Sequence, residues 1–94
     1  MTRAIITVVG KDTVGIIAKV CTYLAGNQIN ILDISQTTVQ EFFNMMMIVD
    51  ITSYNQSVDI LCSELAAIGE TTGVQIKVQL EEIFDKKTLK IITN

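Results

Sequence analysis

From Arg3 to Val9 the chain is β-branched and apolar on both sides of an extended segment. Ala4, Ile6 and Val8 share one face; Ile5, Thr7 and Val9 share the other. A strand apolar on both faces belongs in the middle of a sheet. Ile16, Ile17, Val20, Cys21 and Leu24 then recur at helical spacing, and Gly26-Asn27 supplies a stop. Ile29–Val39 reads as a second strand. Its apolar positions change phase between Ile29/Ile31 and Leu32/Ile34, as at a bulge or a strand packed on both faces. From Ser35 onward it is polar on both sides, which suits an edge strand entering a hairpin at Gln40-Glu41. Phe42–Ile51 is the third strand. Phe43, Met45, Met47, Val49 and Ile51 line one face, and Asn44, Met46, Ile48 and Asp50 the other.

The polar stretch Ser53–Ser57 offers helix caps. Val58, Leu61, Cys62, Leu65 and Ile68 follow as a second amphipathic helix, with Asp59 in its first turn and Gly69 and Gly73 bracketing its exit. Val74–Leu80 alternates cleanly: Val74, Ile76, Val78 and Leu80 point inward, Gln75, Lys77 and Gln79 outward. The order β-α-β-β-α-β predicts an α+β, ferredoxin-like fold: a four-stranded antiparallel sheet with both helices on one face. Strands one and three, each apolar on two faces, take the centre. The opposite sheet face is then open, apolar toward strand two through Ile5 or Ile6, Met46, Ile48 and part of Leu32/Ile34, and polar toward strand four. Such a patch marks an interface, and methionines adapt to a partner surface. The expectation is a homodimer through this face or the edge of strand two. The charged stretch from Glu81, with Ile83, Phe84, Leu89, Ile91 and Ile92, is expected to cross to the partner or cover the patch.

Ninety-four residues hold one domain, read as residues 1–81 with a C-terminal extension over 82–94. The formal charge is −3, and Lys86, Lys87 and Lys90 are interspersed with Glu82 and Asp85 rather than gathered into a basic patch, so nucleic acid is not an expected partner. The longest apolar run, Met45–Val49, is far short of a membrane span. Met-Thr-Arg leads straight into a strand with no signal-like segment, so a cytoplasmic location is expected. Cys21 and Cys62 are expected as small hydrophobes in a reducing compartment. There is no histidine and no close cysteine pair, so neither a metal site nor a cofactor is expected. The commonest general base is missing too, and no activated nucleophile or tuned acid–base pair is visible, so the chain is not expected to be an enzyme.

One stretch remains to be assigned. Gly10-Lys11-Asp12-Thr13-Val14-Gly15 links the first strand to the first helix. A helix start presents unpaired N–H groups and the positive end of the helix dipole, a natural seat for a carboxylate. Asp12 is the expected N-cap, and the two glycines permit positive φ or close backbone approach. A capped turn with no ligand is the alternative reading.

Together with Asn27-Gln28-Ile29-Asn30-Ile31 entering strand two, this loop resembles that of the ACT domain over Arg3–Leu80. The run Asn30–Thr37 and the stretch Glu81–Asp85 resemble a stand-alone single-ACT subgroup, similar to the halves of the glycine-cleavage repressor. The resemblance implies a regulatory module that binds an amino acid at a subunit interface. It implies that Lys11, Asp12, Thr13, Val14 and Gly15 carry the ligand, backbone amides near its carboxylate, and that Asn30 and the Asp12 carboxylate contribute side chains. The order of the elements is expected to set this helix start at an edge of the sheet, near Asn30. Val14 stands where a proline often precedes the glycine, and Gly10 where a polar side chain is common. The competing function is a protein-interaction module whose apolar sheet face binds a partner, such as a regulatory protein, with no small ligand. An RNA-binding sheet of this topology stacks bases on central aromatics, which the first strand lacks. A metallochaperone would need a cysteine pair in the first loop, and there is none.

Overall fold

The computed structural model describes residues 1–11 and 15–81. Its elements are β1 (Arg3–Lys11), α1 (Ile16–Gly26), β2 (Asn30–Val39), β3 (Phe42–Asp50), α2 (Val58–Thr72) and β4 (Val74–Leu80). The sheet is antiparallel with strand order β2-β3-β1-β4, so β1 and β3 are central as their two-sided apolar character predicts. Ala4, Ile6 and Val8 of β1 and Phe43, Met45, Met47 and Val49 of β3 are buried against Ile16, Val20 and Leu24 of α1 and Leu61 and Leu65 of α2. The fold is ferredoxin-like.

Two local features differ from the sequence reading, each for a steric reason, and a third agrees with it. β1 runs on to Lys11 rather than stopping at Val9, because Gly10 pairs with both Phe43 and Val74. A Cβ on Gly10 would lie 3.0 Å from the Val74 Cα, so this glycine serves a close strand approach and not a turn. Gly69 does not bracket the exit of α2. It is a buried residue inside the helix, and a Cβ there would sit 2.6 Å from the Val74 carbonyl oxygen. The exit is made by Gly73 alone, at φ 78° in the left-handed region. The phase change in β2 is a real irregularity: the register with β3 slips between Ile31 and Asp33, leaving Leu32 as the extra residue.

At its start α2 is capped by Ser57, whose Oγ accepts from the Ile60 N–H at 3.3 Å, with Asp59 in the first turn. The helix packs on β4 through Gly69. Beyond Ile31, which packs against the core, β2 is exposed along its whole length. The helix layer therefore covers β4, β1 and β3 and leaves β2 uncovered.

Gly69→Ala separates two effects of opposite sign. Helix propensity alone would stabilise by about 1 kcal/mol. The forced displacement of the Val74 backbone costs on the order of 1–3 kcal/mol, and it should win. Chemical denaturation should show Gly69→Ala less stable than the native chain. Gly26→Ala, where a Cβ meets no atom within 4 Å, should be neutral or slightly stabilised. Equal behaviour of the two variants would contradict the close helix–strand contact.

Candidate functional site

Lys11 ends β1 and registers against Phe42, which in turn lies opposite Val39. Four residues later α1 opens at Gly15. Gly15 occupies the N-cap position at φ 86°, and no atom lies within 4 Å of where its Cβ would stand. Conformation, not space, therefore demands glycine here. This corrects the expectation that Asp12 caps the helix: the cap position falls three residues later, on a residue with no side chain. Nor does an acidic residue stand in the first turn of α1. The helix start thus has N–H groups that its cap residue does not satisfy, at the positive end of the dipole. Asp12, Thr13 and Val14 lie outside the described residues. Lys11 and Gly15 are both exposed and flank that gap.

Asn30 is exposed and opens β2. It pairs with Asp50, and Asp50 pairs with Arg3. Asn30 therefore lies at the Arg3 end of the sheet, while the loop lies at the Lys11 end. Eight residue steps of about 3.3 Å separate the ends, roughly 26 Å. The expectation that the loop stands near Asn30 is corrected: one chain does not bring them together. Asp50 is held by its own turn. Its carboxylate accepts from the Thr52 hydroxyl at 2.5 Å and the Thr52 N–H at 2.9 Å, and these bonds draw its pKa below the usual carboxylate range.

Two apolar side chains missing from the sequence-based site stand beside Lys11. Val39 is 70% and Phe42 54% exposed. Their position at the tip of a hairpin whose register brings them to the end of β1 was the available signal. Farther along β2, Ile34 is 44% exposed although it pairs with core residue Met47.

A separate polar cluster lies between the helices. The Tyr23 hydroxyl donates to Glu64 Oε1 at 2.6 Å. Burial first, then that bond and the nearby Tyr54 hydroxyl, push the Tyr23 phenol far above its ordinary range. Among the described residues the buried Tyr54 hydroxyl meets no geometric hydrogen-bond partner. An open, mainly apolar groove beside it is lined by Ala18, Lys19, Thr22, Tyr23, Ile68 and Thr71. Cys21 and Cys62 are free and half-buried rather than fully buried. Burial and then Asp59 push the Cys62 thiol up, away from the thiolate a nucleophile requires. Among the described residues no three His, Cys, Asp or Glu side chains are grouped to hold a metal ion, and no helix is long and apolar enough to cross a membrane.

The βαββαβ order, with a four-stranded antiparallel sheet and two helices, places the chain in the ferredoxin-like class. The ACT domain model matches residues 2–79, and the chain belongs to the ACT domain family, whose members are regulatory small-ligand-binding modules. It is 54% identical over 86 residues to a UPF0237 protein of Bifidobacterium longum, covering 92% of this chain and 96% of that relative. An ACT domain protein from Streptococcus pneumoniae superposes with a TM-score of 0.78 at 44% identity, covering 88% of this chain and 93% of that one. A protein described as a candidate glycine cleavage system transcriptional repressor superposes at 0.71 and 20% identity. That match covers 84% of this chain but 45% of the other, so in fold this chain resembles one half of the repressor.

Gly15→Ala should lower stability by about 1–2 kcal/mol, the cost of placing an L-residue in the left-handed region. For a domain this size that is a fall in Tm of roughly 4–16 °C. An unchanged Tm would mean that the helix start does not need this conformation.

Proposed function

We propose that the chain is a non-enzymatic regulatory module of the cytoplasm that binds an amino acid between two copies of itself. The observation that carries this reading is the separation of Lys11 and Gly15 from Asn30, combined with an uncovered β2 edge. Two copies paired antiparallel along β2 point their sheets in opposite directions. Each loop then faces the end of the sheet that bears the partner's Asn30. The exposed Ile34, Leu32 and Val39 gain cover in the same step, and the bare N–H and C=O row of the edge strand is paired.

The chemistry suits a zwitterion. The ligand carboxylate accepts from the N–H groups at the start of α1, the Asp12 carboxylate takes the α-ammonium, and Asn30 supplies a neutral amide from across the interface. Val39 and Phe42 offer apolar surface to a side chain. The repressor resembling this fold is named for a glycine cleavage system, which agrees with an amino-acid signal. The competing reading, a protein-binding module with an empty loop, draws on the half-exposed Met46 and Val9 of the open sheet face.

A thermal-shift screen of the standard amino acids separates the two. A ligand at 100 times its Kd adds about 2.7 kcal/mol, a rise in Tm on the order of ten degrees. At least one amino acid should give such a rise, and Asp12→Ala and Asn30→Ala should each abolish it. A flat response to all of them would sink the ligand reading. Ile34→Lys, which puts a charge on the proposed seam, should sediment as a monomer and lose the ligand response. Dimeric Ile34→Lys would move the interface elsewhere.

A further inference from the structure

β2 is one edge of the sheet and β4 is the other. In the order β2-β3-β1-β4, β4 has β1 on its inner side and no strand on its outer side among the described residues. A recess of about 550 Å³ runs along that outer side. Four consecutive residues of β4, Val74, Gln75, Ile76 and Lys77, line it together with Ala66 and Glu70 of α2. Consecutive strand residues point to opposite faces of a sheet. All four reach one recess only where it wraps the free edge itself. Val74 and Ile76 are buried on the helix side, whereas Gln75 and Lys77 are exposed on the open face. The helix wall is held close. Gly69 has no Cβ to meet the Val74 carbonyl oxygen, and the Cys62 thiol donates to the Val78 carbonyl at 3.9 Å.

We propose that the β4 edge takes an extended segment of a different protein as a fifth strand, one that alternates carboxylate side chains with small aliphatic ones. Backbone pairing supplies the attraction, because an edge strand presents a row of unpaired N–H and C=O groups. Side chains supply the choice. A residue opposite Lys77 lies on the open face, where a carboxylate meets the Lys77 ammonium. Its neighbours in sequence turn to the helix side. There Ala66 leaves room for a small aliphatic group, and Glu70 disfavours an acidic one. A second copy of this chain is a poorer occupant. Lys77 is the central residue of Val74–Leu80. Two β4 strands paired antiparallel over their full length set Lys77 against its own counterpart, and like charges directly opposite are destabilising. A lysine in the middle of an edge strand opposes pairing with itself and favours pairing with an acidic strand. The inference concerns the edge opposite the one used in the proposed dimer. It requires neither that dimer nor the amino acid.

The test is amide hydrogen exchange by NMR on the full chain, with two end-blocked peptides as probes: Ala-Glu-Val-Glu-Ala and Ala-Lys-Val-Lys-Ala. In the chain alone, the outward amides of β4 should exchange fast. The acidic peptide at saturation should slow them roughly tenfold or more and leave the β2 amides unchanged. The basic peptide should bind about tenfold more weakly. Lys77→Glu alters an exposed side chain, and protected amides in β1 and β3 will report that the fold is kept. It should reverse the preference between the two peptides. An edge-paired strand donates from every second amide, so N-methylation of the acidic peptide at alternate residues should abolish its effect in one of the two phases. The proposal is overturned if neither peptide slows the β4 amides, if both bind equally, or if Lys77→Glu leaves the preference as it was. It is also overturned if the β4 amides are already protected in the chain alone, which would mean that the edge is paired with another copy or another part of the chain. No amino-acid ligand enters the measurement, so failure here and failure of the thermal-shift screen are distinguishable.

Discussion

Each antiparallel neighbour in a sheet reverses direction, and the placement of every candidate group follows from those reversals. β1 ends at Lys11; β3 begins there and returns to the Arg3 end; β2 starts beside that end and runs back. Asn30 and the loop after β1 are consequently at opposite ends of one sheet. No movement of side chains closes a gap of about 26 Å. The same topology sends both helices to one face. α2 is drawn tight onto β4 by the missing Cβ of Gly69, and β2 is left as an uncovered edge. One constraint thus splits the site and exposes the surface that can rejoin it.

The core was legible because its signals are local and repeated. Alternation along β3 and β4 and the 3.6-residue period of both helices named their buried residues, whereas β1, apolar on both faces, left Ile5 and Ile6 undivided and the structure puts Ile6 in the core. The bulge at Leu32 showed as a break in that alternation. The helix start was less legible. Asp12 is a good cap by residue type, but type does not say which of four loop residues precedes the first helical turn. Gly15 takes that position because it alone accepts φ 86° without strain. Gly69 was misplaced because a glycine near a helix end and a glycine inside a tight helix–strand contact look alike in one dimension. The position of Asn30 could have been read correctly: counting the strand reversals places it at the Arg3 end before any coordinates are known.

The helix face is filled by the core. The β2 edge, which exposes Leu32, Ile34 and Val39 and has no outer strand neighbour among the described residues, is the surface proposed for a second subunit. In the proposed dimer the loop, whose glycine cap offers no side chain to the helix N–H groups, forms one half of the pocket. Family membership agrees with this reading as far as a regulatory small-ligand module; the amino acid and the dimer rest on the geometry of the β2 edge.

The measurement that bears most directly on that claim is a complementation titration. Asp12→Ala and Asn30→Ala chains, each unable to bind the amino acid alone, are mixed, allowed to exchange subunits and titrated calorimetrically. If each pocket takes its loop from one chain and Asn30 from the other, random exchange restores roughly a quarter of the wild-type sites. Half the dimers are then mixed, and each mixed dimer holds one intact pocket. If both groups act within one chain, or if the chain does not dimerise, the mixture binds nothing.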